Sequence, residues 1–284
     1  MIKKIAVFND LSGLGKCSLT AAIPVISALG VQACPVPTAI LSNQTGYDSY
    51  FLQDCTENID RFTDEWKKLK IEFDGIYTGF LPNPKQVEKI ISFLKTFKSA
   101  KTKLVVDPVM ADHGRLYDIY SDELRCKMLE LLPQADIVTP NFTECCILAN
   151  KDYHTLIGIE KDTEFFQEIL SMCKDLIKIG AKEVVVTGII RVDCDNNRTV
   201  YNCICSEDNS SFVKAKMFYG NFSGTGDLFA SVICACLVKG ISTETAVKKA
   251  TEFISASIED TIKDNISKND GVNFEKFLGL LVND

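Results

Sequence analysis

Histidine is scarce in this chain, and no two cysteines form a Cys-x-x-Cys pair. Only His113 and His154 are present, so the usual ligand spacing of a zinc site is missing. Cysteine itself is abundant, with 12 residues, at positions 17, 34, 55, 126, 145, 146, 173, 194, 203, 205, 234 and 236. Because several of them stand in apolar runs, the pattern favours reduced cysteines that act as small hydrophobic residues over disulfides.

The sequence also lacks an excess of positive charge and a long apolar run. Its 31 basic and 38 acidic residues give a net charge of −7, which argues against nucleic-acid binding because phosphate recognition needs a basic surface. The longest strongly apolar stretch, residues 228–238, is too short to span a membrane. The opening "MIKKIAVFND" turns acidic too early for a signal peptide. We therefore expect a cytoplasmic protein with no membrane partner.

Repeats, low-complexity blocks and linkers rich in glycine, serine or proline are absent from the 284 residues. Short β-type runs alternate instead with helical runs, such as "IAVFN" before a helix over 19–29 and "KLVVDPV" after a helix over 84–97. This alternation predicts an α/β fold whose mostly parallel sheet is flanked by helices on both faces. "RTVYNCICSEDNSSFVKAKMF" predicts an antiparallel hairpin near the C-terminal part. We expect a single domain over residues 1–284.

Polar residues follow five of the predicted strands. They are Asn9-Asp10, Thr78-Gly79, Asp107, Thr139-Pro140-Asn141 and Thr187-Gly188. Ligands of parallel sheets bind beyond the carboxyl ends of the strands. One polar strand end is ordinary, but five together favour a shared site.

The glycine-containing turn after the first strand matches neither standard nucleotide loop. In "SGLGKCSLT", a Walker A motif would need glycine at position 10 and a hydroxyl residue at position 17, where Asp10 and Cys17 stand. Gly13 and Gly15 fit a dinucleotide fingerprint, but Ser18 replaces its third glycine and the acidic ribose partner is missing. A nicotinamide-dependent oxidoreductase is thus a weak alternative, and a tight strand-to-helix turn is the simpler interpretation.

A better anion site is predicted where Gly224, Thr225, Gly226 and Asp227 open a long apolar helix. Glycines let an anion approach the backbone, and the first helical turn offers unpaired N–H groups and a positive dipole end. Asp227 is then placed to accept the proton of an attacking hydroxyl. Ordinary capping by Ser223 or Thr225, with an acidic residue in the first turn, explains this segment equally well when it is taken alone.

Several motifs in order make the chain resemble the pyridoxal kinase branch of the ribokinase superfamily over nearly its full length. They are "SNQTGY" (42–47), "YTGF" (77–80), "VVDPVMADHGRLY" (105–117), "VTPNFTE" (138–144) and "SGTGDLF" (223–229). The last two are the most specific. The resemblance implies a ribokinase-like kinase domain that uses ATP and Mg²⁺. It also implies a monovalent cation such as K⁺, and a homodimer as the assembly.

The resemblance implies roles for individual residues as well. Asp227 is expected to be the catalytic base, and the anion hole is expected at Gly224, Thr225 and Gly226. Nucleotide contacts are expected at Asn141, Glu144, Thr187 and Phe218. Substrate contacts are expected at Asp10, Ser12, Thr45 and Phe80. Metal contacts are expected at Asp107, Asp112, Thr139 and Glu144, with the monovalent cation near Asp107, Thr139 and Thr187. No cysteine holds a position that the resemblance assigns to the site.

The implied reaction is ATP-dependent phosphorylation of the 5′-hydroxyl of pyridoxal or a related B6 vitamer. The turn over residues 9–13 is closer to the D-P-S-G turn of hydroxymethylpyrimidine kinases, and Ala111 replaces a glycine that is common in the family. Hydroxymethylpyrimidine (phosphate) kinase of thiamine biosynthesis is therefore the alternative. Residues 112–120 are predicted to form a flap that closes over the substrates, with a plain surface loop as the alternative.

Overall fold

Strands and helices alternate through a computed structural model of the chain, which describes residues 2–192, 197–218 and 222–282. The strands are β1 (Lys4–Ser12), β2 (Gln32–Leu41), β3 (Leu52–Asp54), β4 (Gly75–Thr78), β5 (Lys103–Val106), β6 (Ala111–Asp112), β7 (Arg115–Leu116), β8 (Ile137–Val138), β9 (Glu183–Val192), β10 (Arg198–Ser206) and β11 (Ser210–Lys216). The helices are α1 (Ser18–Ala28), α2 (Thr56–Lys68), α3 (Pro84–Phe97), α4 (Asp122–Leu129), α5 (Phe142–Leu148), α6 (Tyr153–Ile157), α7 (Asp162–Ile179), α8 (Thr225–Lys239), α9 (Thr243–Lys263) and α10 (Gly279–Val282).

The contacts within the chain divide it into two compact units. The first unit is formed by the chain up to Val105 and again from Phe218 onward, and the second unit is formed by Val106–Met217. The first unit is therefore discontinuous in sequence. The prediction of a single domain over residues 1–284 remains a prediction.

The first unit is built around β1. Its strands lie in the order β5-β4-β1-β2-β3, with β1 parallel to both β2 and β4 and β3 antiparallel to β2. Helices α1 and α8 pack on each other and on the strands, while α2 packs on α3 and on β2. The six residues from Ile5 to Asp10 are all buried, as expected for a strand that has neighbours on both edges and helices over the sheet.

The second unit carries the predicted hairpin. Strand β8 runs parallel to β9, β9 is antiparallel to β10, and β10 is antiparallel to β11. Helix α7 packs on β9 and β10, and α5 packs on α7. Strands β6 and β7 form a separate two-stranded ribbon.

The predicted fold class is confirmed: the protein is α/β, with a large, mostly parallel sheet flanked by helices and an antiparallel hairpin near the C-terminal part. No helix within the described ranges is long and apolar enough to cross a membrane. The described cysteines are thiols rather than disulfides, as predicted, and Cys194 lies outside the described residues.

A cluster of aromatic rings anchors α3 inside the first unit. The ring of Phe93 lies 4.8 Å from that of Phe8, 4.5 Å from that of Phe97 and 5.8 Å from that of Phe73, between ring centroids. Trp66 of α2 approaches the same ring at 6.2 Å. Such aromatic contacts add to the free energy of burying the rings themselves. Phe93 therefore connects α2 and α3 with the central strand.

We expect Phe93→Ala to lower the free energy of unfolding by about 3–5 kcal/mol, because it removes a fully buried ring and leaves a cavity. Urea unfolding followed by far-ultraviolet circular dichroism measures this loss. Ser92→Ala, at the exposed preceding position of α3, is the control and should change stability by no more than about 0.5 kcal/mol. A loss near that of the control would contradict the central role of this ring.

Candidate active site

The polar end of β1 forms one side of the candidate site. Asp10 and Ser12 are buried, and the Ser12 hydroxyl donates a hydrogen bond of 2.6 Å to the Asp10 carboxylate. Burial raises the pKa of Asp10, and hydrogen bonds from Ser12 and Ser18 offset part of that rise. The structure thus brings two of the predicted substrate-binding residues together, in a pocket of polar groups that is shielded from water.

Helix α8 begins at the predicted anion site without a side-chain cap. Its N-cap residue is Gly224, which has φ +82°, and a Cβ there would lie 2.2 Å from the Lys16 carbonyl oxygen. Only glycine tolerates both this conformation and this approach. The Thr225 hydroxyl donates to the Phe222 carbonyl instead of accepting from the helix. Capping by Ser223 or Thr225, the alternative explanation of this segment, is therefore wrong, and the first N–H groups of α8 stay available to an anion.

Asp227 lies in the first turn of α8 with its carboxylate enclosed by β1 and the start of α1. The side-chain amide of Asn9 donates a 2.8 Å hydrogen bond to Asp227 Oδ1. Burial raises the pKa of Asp227 to about 6 and the charge of Asp10 adds to the rise, while hydrogen bonds from the Ser18 N–H, Asn9 and Tyr77 act against it. A carboxylate with such a pKa is ionised at neutral pH and is more basic than a carboxylate in water, which suits a general base.

Cys17 is a neighbour of this carboxylate that the sequence analysis left out of the site. Burial, with the charges of Asp227 and Asp10, raises the pKa of the Cys17 thiol to about 12. The thiol is therefore protonated at neutral pH and is a poor nucleophile. Cys17 is therefore a protonated thiol near Asp227 and Asp10, and the expectation that no cysteine holds a position assigned by the resemblance remains a prediction.

Phe80 is connected to the same site through its backbone. Its N–H donates 2.9 Å to Asn9 Oδ1, and its carbonyl accepts 2.8 Å from the Thr38 hydroxyl. Thr45 lies in an exposed loop, and no described contact joins it to Asp10 or Ser12. Phe218 is half-buried at the point where the chain enters the first unit again.

A segment from the C-terminal part, residues 267–273, holds the loop that carries Thr45. Asn269 donates 2.7 Å to the Gly46 carbonyl and accepts, through its own carbonyl, from Gln44. The Tyr47 hydroxyl is hydrogen-bonded to Asp270. The same segment accepts from the Ser223 N–H through the Lys268 carbonyl at 3.0 Å. We refer to residues 267–273 as the C-terminal strap.

Lys16, in the opening glycine-containing turn, pairs with residues of the C-terminal part instead of being available to bind a phosphate. Its ammonium group lies 3.0 Å from Glu275 and 3.3 Å from Asn273 Oδ1. This agrees with the interpretation of the segment as a strand-to-helix turn, and it gives the nicotinamide-dependent alternative no support.

In the second unit, the ends of β5 and β8 bring together two of the predicted metal-binding residues. Asp107 and Thr139 are buried, and the Thr139 hydroxyl donates 3.1 Å to Asp107 Oδ1. The Thr139 N–H donates 2.9 Å to the Val106 carbonyl, which fixes the two strand ends relative to each other.

Asn141 and Glu144 start helix α5 as a capping box. Asn141 Oδ1 accepts from the Glu144 N–H at 3.0 Å, and Glu144 Oε2 accepts from the Asn141 N–H at 2.9 Å. Glu144 Oε1 accepts from the Met110 N–H at 3.0 Å, and Asn141 Nδ2 donates 2.7 Å to the Ala111 carbonyl. These hydrogen bonds fix the side chains of Asn141 and Glu144, from the T-P-N-x-x-E motif, at a strand end.

The carboxylates of this unit influence one another. Burial, followed by the charges of Asp107 and Asp112, raises the pKa of Glu144 well above its usual range. Within the described ranges, no three or more His, Cys, Asp and Glu side chains are arranged to hold a metal ion by themselves. A hard cation such as Mg²⁺ still fits these donors, because it is bound by one or two carboxylates together with water and substrate phosphates.

Thr187 and the predicted flap complete the second unit. The Thr187 N–H donates 2.9 Å to the Pro140 carbonyl, and Thr187 pairs with Asn141 as an isolated β-bridge. Residues 112–120 include Asp112 of β6 and the whole of β7, and the tip of this ribbon is held by a 2.9 Å hydrogen bond from the Gly114 N–H to the Thr143 hydroxyl. The closing motion of this segment remains a prediction.

The raised pKa of Asp227 has a consequence for stability. The folded protein holds the proton of Asp227 up to about pH 6, whereas an unfolded aspartate loses it near pH 4. The contribution of Asp227 to the free energy of unfolding therefore falls as the pH rises from about 4 to 6. Asp227→Asn removes this pH-dependent contribution. We expect the variant to be more stable than the wild type above pH 6, by about 2–3 kcal/mol, with little difference below pH 4. Urea unfolding at several pH values measures the difference, and parallel curves for the two proteins would contradict the burial of this charge.

Comparisons with known proteins show the family and the fold to which the chain belongs. The phosphomethylpyrimidine kinase family matches residues 15–272. A Bacteroides thetaiotaomicron protein, described as a candidate phosphomethylpyrimidine kinase and solved with pyridoxal, is 36% identical, with a TM-score of 0.89 over 99% of this chain and 96% of its own. The pyridoxal kinase of Lactobacillus plantarum is 26% identical, with a TM-score of 0.86 over 99% of this chain and 97% of its own.

A thiamine biosynthetic bifunctional enzyme, TH1 of Arabidopsis thaliana, is 30% identical over 97% of this chain, which spans 50% of that longer protein. Relatives named for the B6 vitamers and for thiamine precursors thus lie on the same fold. The uncapped start of α8, Asp227 and the T-P-N-x-x-E motif all lie within the matched residues. The chain belongs to the phosphomethylpyrimidine kinase family, on the ribokinase-like fold that its pyridoxal kinase relatives share.

Proposed function

We propose that this protein catalyses the ATP-dependent phosphorylation of the 5′-hydroxyl of pyridoxal and related B6 vitamers. The observation that carries the proposal is the half-buried Asp227 carboxylate in the first turn of α8, a helix that begins without a side-chain cap. The start of α8 therefore combines a base with a set of N–H donors. This is the combination that phosphoryl transfer to an alcohol requires.

The first unit supplies the acceptor side of the reaction. Asp227 takes the proton of the attacking hydroxyl, and the N–H groups at residues 225–227 stabilise negative charge on the transferred phosphoryl group. Asp10, Ser12 and Phe80 bind the vitamin ring and its substituents, with Thr45 from the exposed loop. The buried hydrogen bond between Ser12 and Asp10 supports this role, because it holds polar groups ready for a polar ligand.

The second unit supplies the nucleotide and metal contacts. Asn141, Glu144 and Thr187 serve the phosphates of ATP, and Phe218, the residue at which the chain enters the first unit again, serves the nucleotide. Mg²⁺ would be held by Glu144 and the nearby carboxylates of Asp107 and Asp112, and when bound it neutralises phosphate charge. A monovalent cation such as K⁺ is assigned to the oxygens of Asp107, Thr139 and Thr187. The raised pKa of Glu144 supports a cation here, since a positive charge offsets neighbouring carboxylates.

Hydroxymethylpyrimidine kinase activity is the second candidate. The matched family and the 30% identity to the Arabidopsis enzyme favour it, as does the turn over residues 9–13. The pyridoxal bound in the Bacteroides structure, at 36% identity, favours the B6 vitamers. We propose further that the protein acts as a cytoplasmic homodimer.

A phosphorylation assay decides between the substrates. Pyridoxal, pyridoxamine, pyridoxine and hydroxymethylpyrimidine are offered with ATP and Mg²⁺, and we expect the highest kcat/KM with a B6 vitamer. Asp227→Asn should reduce kcat by about 10²–10⁴-fold because the base is lost, while the affinity for ATP measured by calorimetry is retained. A preference for hydroxymethylpyrimidine would replace the proposed substrate, and an active Asp227→Asn variant would refute the proposed base.

Glu144→Gln tests the metal contact. We expect the Mg²⁺ concentration for half-maximal rate to rise by about tenfold to a hundredfold, while the KM for the vitamin changes little. Glu123→Gln, at an exposed position of α4, is the control for loss of one carboxylate. An unchanged Mg²⁺ titration in a folded Glu144→Gln variant would remove this residue from the metal site.

A further inference from the structure

Asn9 is a buried residue near the end of β1, and its side-chain amide makes three hydrogen bonds. The oxygen, Oδ1, accepts from the backbone N–H of Asp10 at 3.0 Å and from the backbone N–H of Phe80 at 2.9 Å. The nitrogen, Nδ2, donates 2.8 Å to Asp227 Oδ1. All three partners belong to the candidate site, yet no role has been given to Asn9 itself.

The orientation of this amide is fixed by its backbone partners. Two N–H donors point at one end of the amide, and only its oxygen can accept from them. A flipped amide would set an NH₂ group against two donors, so the flipped form is excluded. The end of Asn9 that faces Asp227 is therefore always a donor.

We propose that Asn9 is the positioning residue of the general base: its donor holds Asp227 Oδ1 and so orients the carboxylate that takes the substrate proton. This inference rests on the proposed function. In the step, the O–H bond of the substrate hydroxyl breaks, its oxygen bonds to the terminal phosphorus of ATP, and the bond from that phosphorus to ADP breaks. The proton passes to the Asp227 carboxylate and later to water.

The surroundings are shaped to hold Asn9 in this position. A Cβ at residue 79 would lie 2.4 Å from Asn9 Nδ2, so the chain carries Gly79 where the amide passes. The Phe80 carbonyl on the far side accepts from Thr38, so the Phe80 backbone is fixed from both ends. One amide thus couples the proposed base with the segment that faces the vitamin.

A neutral donor at this position suits the chemistry better than a cation would. Among the residues that the structure describes, the titratable groups that act on Asp227 are Asp10, Cys17 and Tyr77, and none of these three is a cation. A lysine or arginine in place of Asn9 would lower the pKa of Asp227 strongly and weaken it as a base. An amide orients the carboxylate and lowers its pKa only in part.

The test is a direct titration of Asp227 by ¹³C NMR of the side-chain carboxyl groups, with the signal assigned from its absence in Asp227→Asn. Asn9→Ala removes the donor, so we expect the pKa of Asp227 to rise by about one unit or more. In the assay, the acid limb of the kcat profile should shift to higher pH by the same amount, with the KM for ATP unchanged. Thr38→Val is the matched control, because it loosens the Phe80 backbone without touching Asp227 and should leave the titration unmoved.

Asn9→Asp is the second variant, which keeps the shape of the side chain if Asn9→Ala does not fold. Its carboxyl group still accepts from both N–H groups but sets a second acid against Asp227, so the pKa of Asp227 should rise further than in Asn9→Ala. An unshifted Asp227 titration in a folded variant overturns the inference, as does an equal shift in Thr38→Val. If the wild type phosphorylates none of the offered compounds, the proposed function fails, while the titration still decides whether Asn9 controls Asp227.

Discussion

The burial of one carboxylate governs the organisation of the first unit. Asp227 is half-buried beside the end of β1 and the start of α1, and its partial desolvation works against its ionised form. The surrounding elements offset the cost by supplying donors: the Asn9 amide, the Ser18 N–H and the start of a helix whose dipole favours negative charge. Each donor depends on a backbone feature, from the left-handed Gly224 to the strand end at residue 9.

The two units handle charge in opposite ways. In the first unit, the carboxylates of Asp10 and Asp227 are held by neutral donors, and Asp227 is kept moderately basic. In the second unit, Asp107, Asp112 and Glu144 accumulate negative charge near one another, and the Glu144 side chain is locked by two backbone N–H groups. The first arrangement suits proton transfer and the second suits a cation, which is the division of tasks expected for phosphoryl transfer to an alcohol.

Local signals in the sequence predicted elements whose ends are marked by residues such as proline, and they missed elements that have no such marker. Helix α3 was predicted over its observed length because Pro84 marks its first turn and its apolar residues recur at helical spacing. Helix α7 was missed although Phe165, Ile169 and Leu176 recur at that spacing too. Strands β3, β6 and β7 have two or three residues each, so they carry no period that a sequence pattern reveals. The sequence alone could not predict the contact between Asn9 and Asp227, because the two residues lie 218 positions apart and only the folded chain brings them together.

The discontinuity of the first unit sets an order in which the protein can be completed. Strands β1 to β4 and helices α1 to α3 are made early, but their partners α8 and the C-terminal strap follow the whole of the second unit in the sequence. The strap closes over the turns at residues 16 and 42–47 through Asn269, Asp270 and Asn273. During synthesis, residues 1–105 therefore lack the packing of α8 and the hydrogen bonds of the C-terminal strap until more than a hundred further residues have been made. Contacts that span so much sequence form slowly, and apolar surface that stays exposed in the meantime favours aggregation, so the first unit is stable against it only after the C-terminal part has been added.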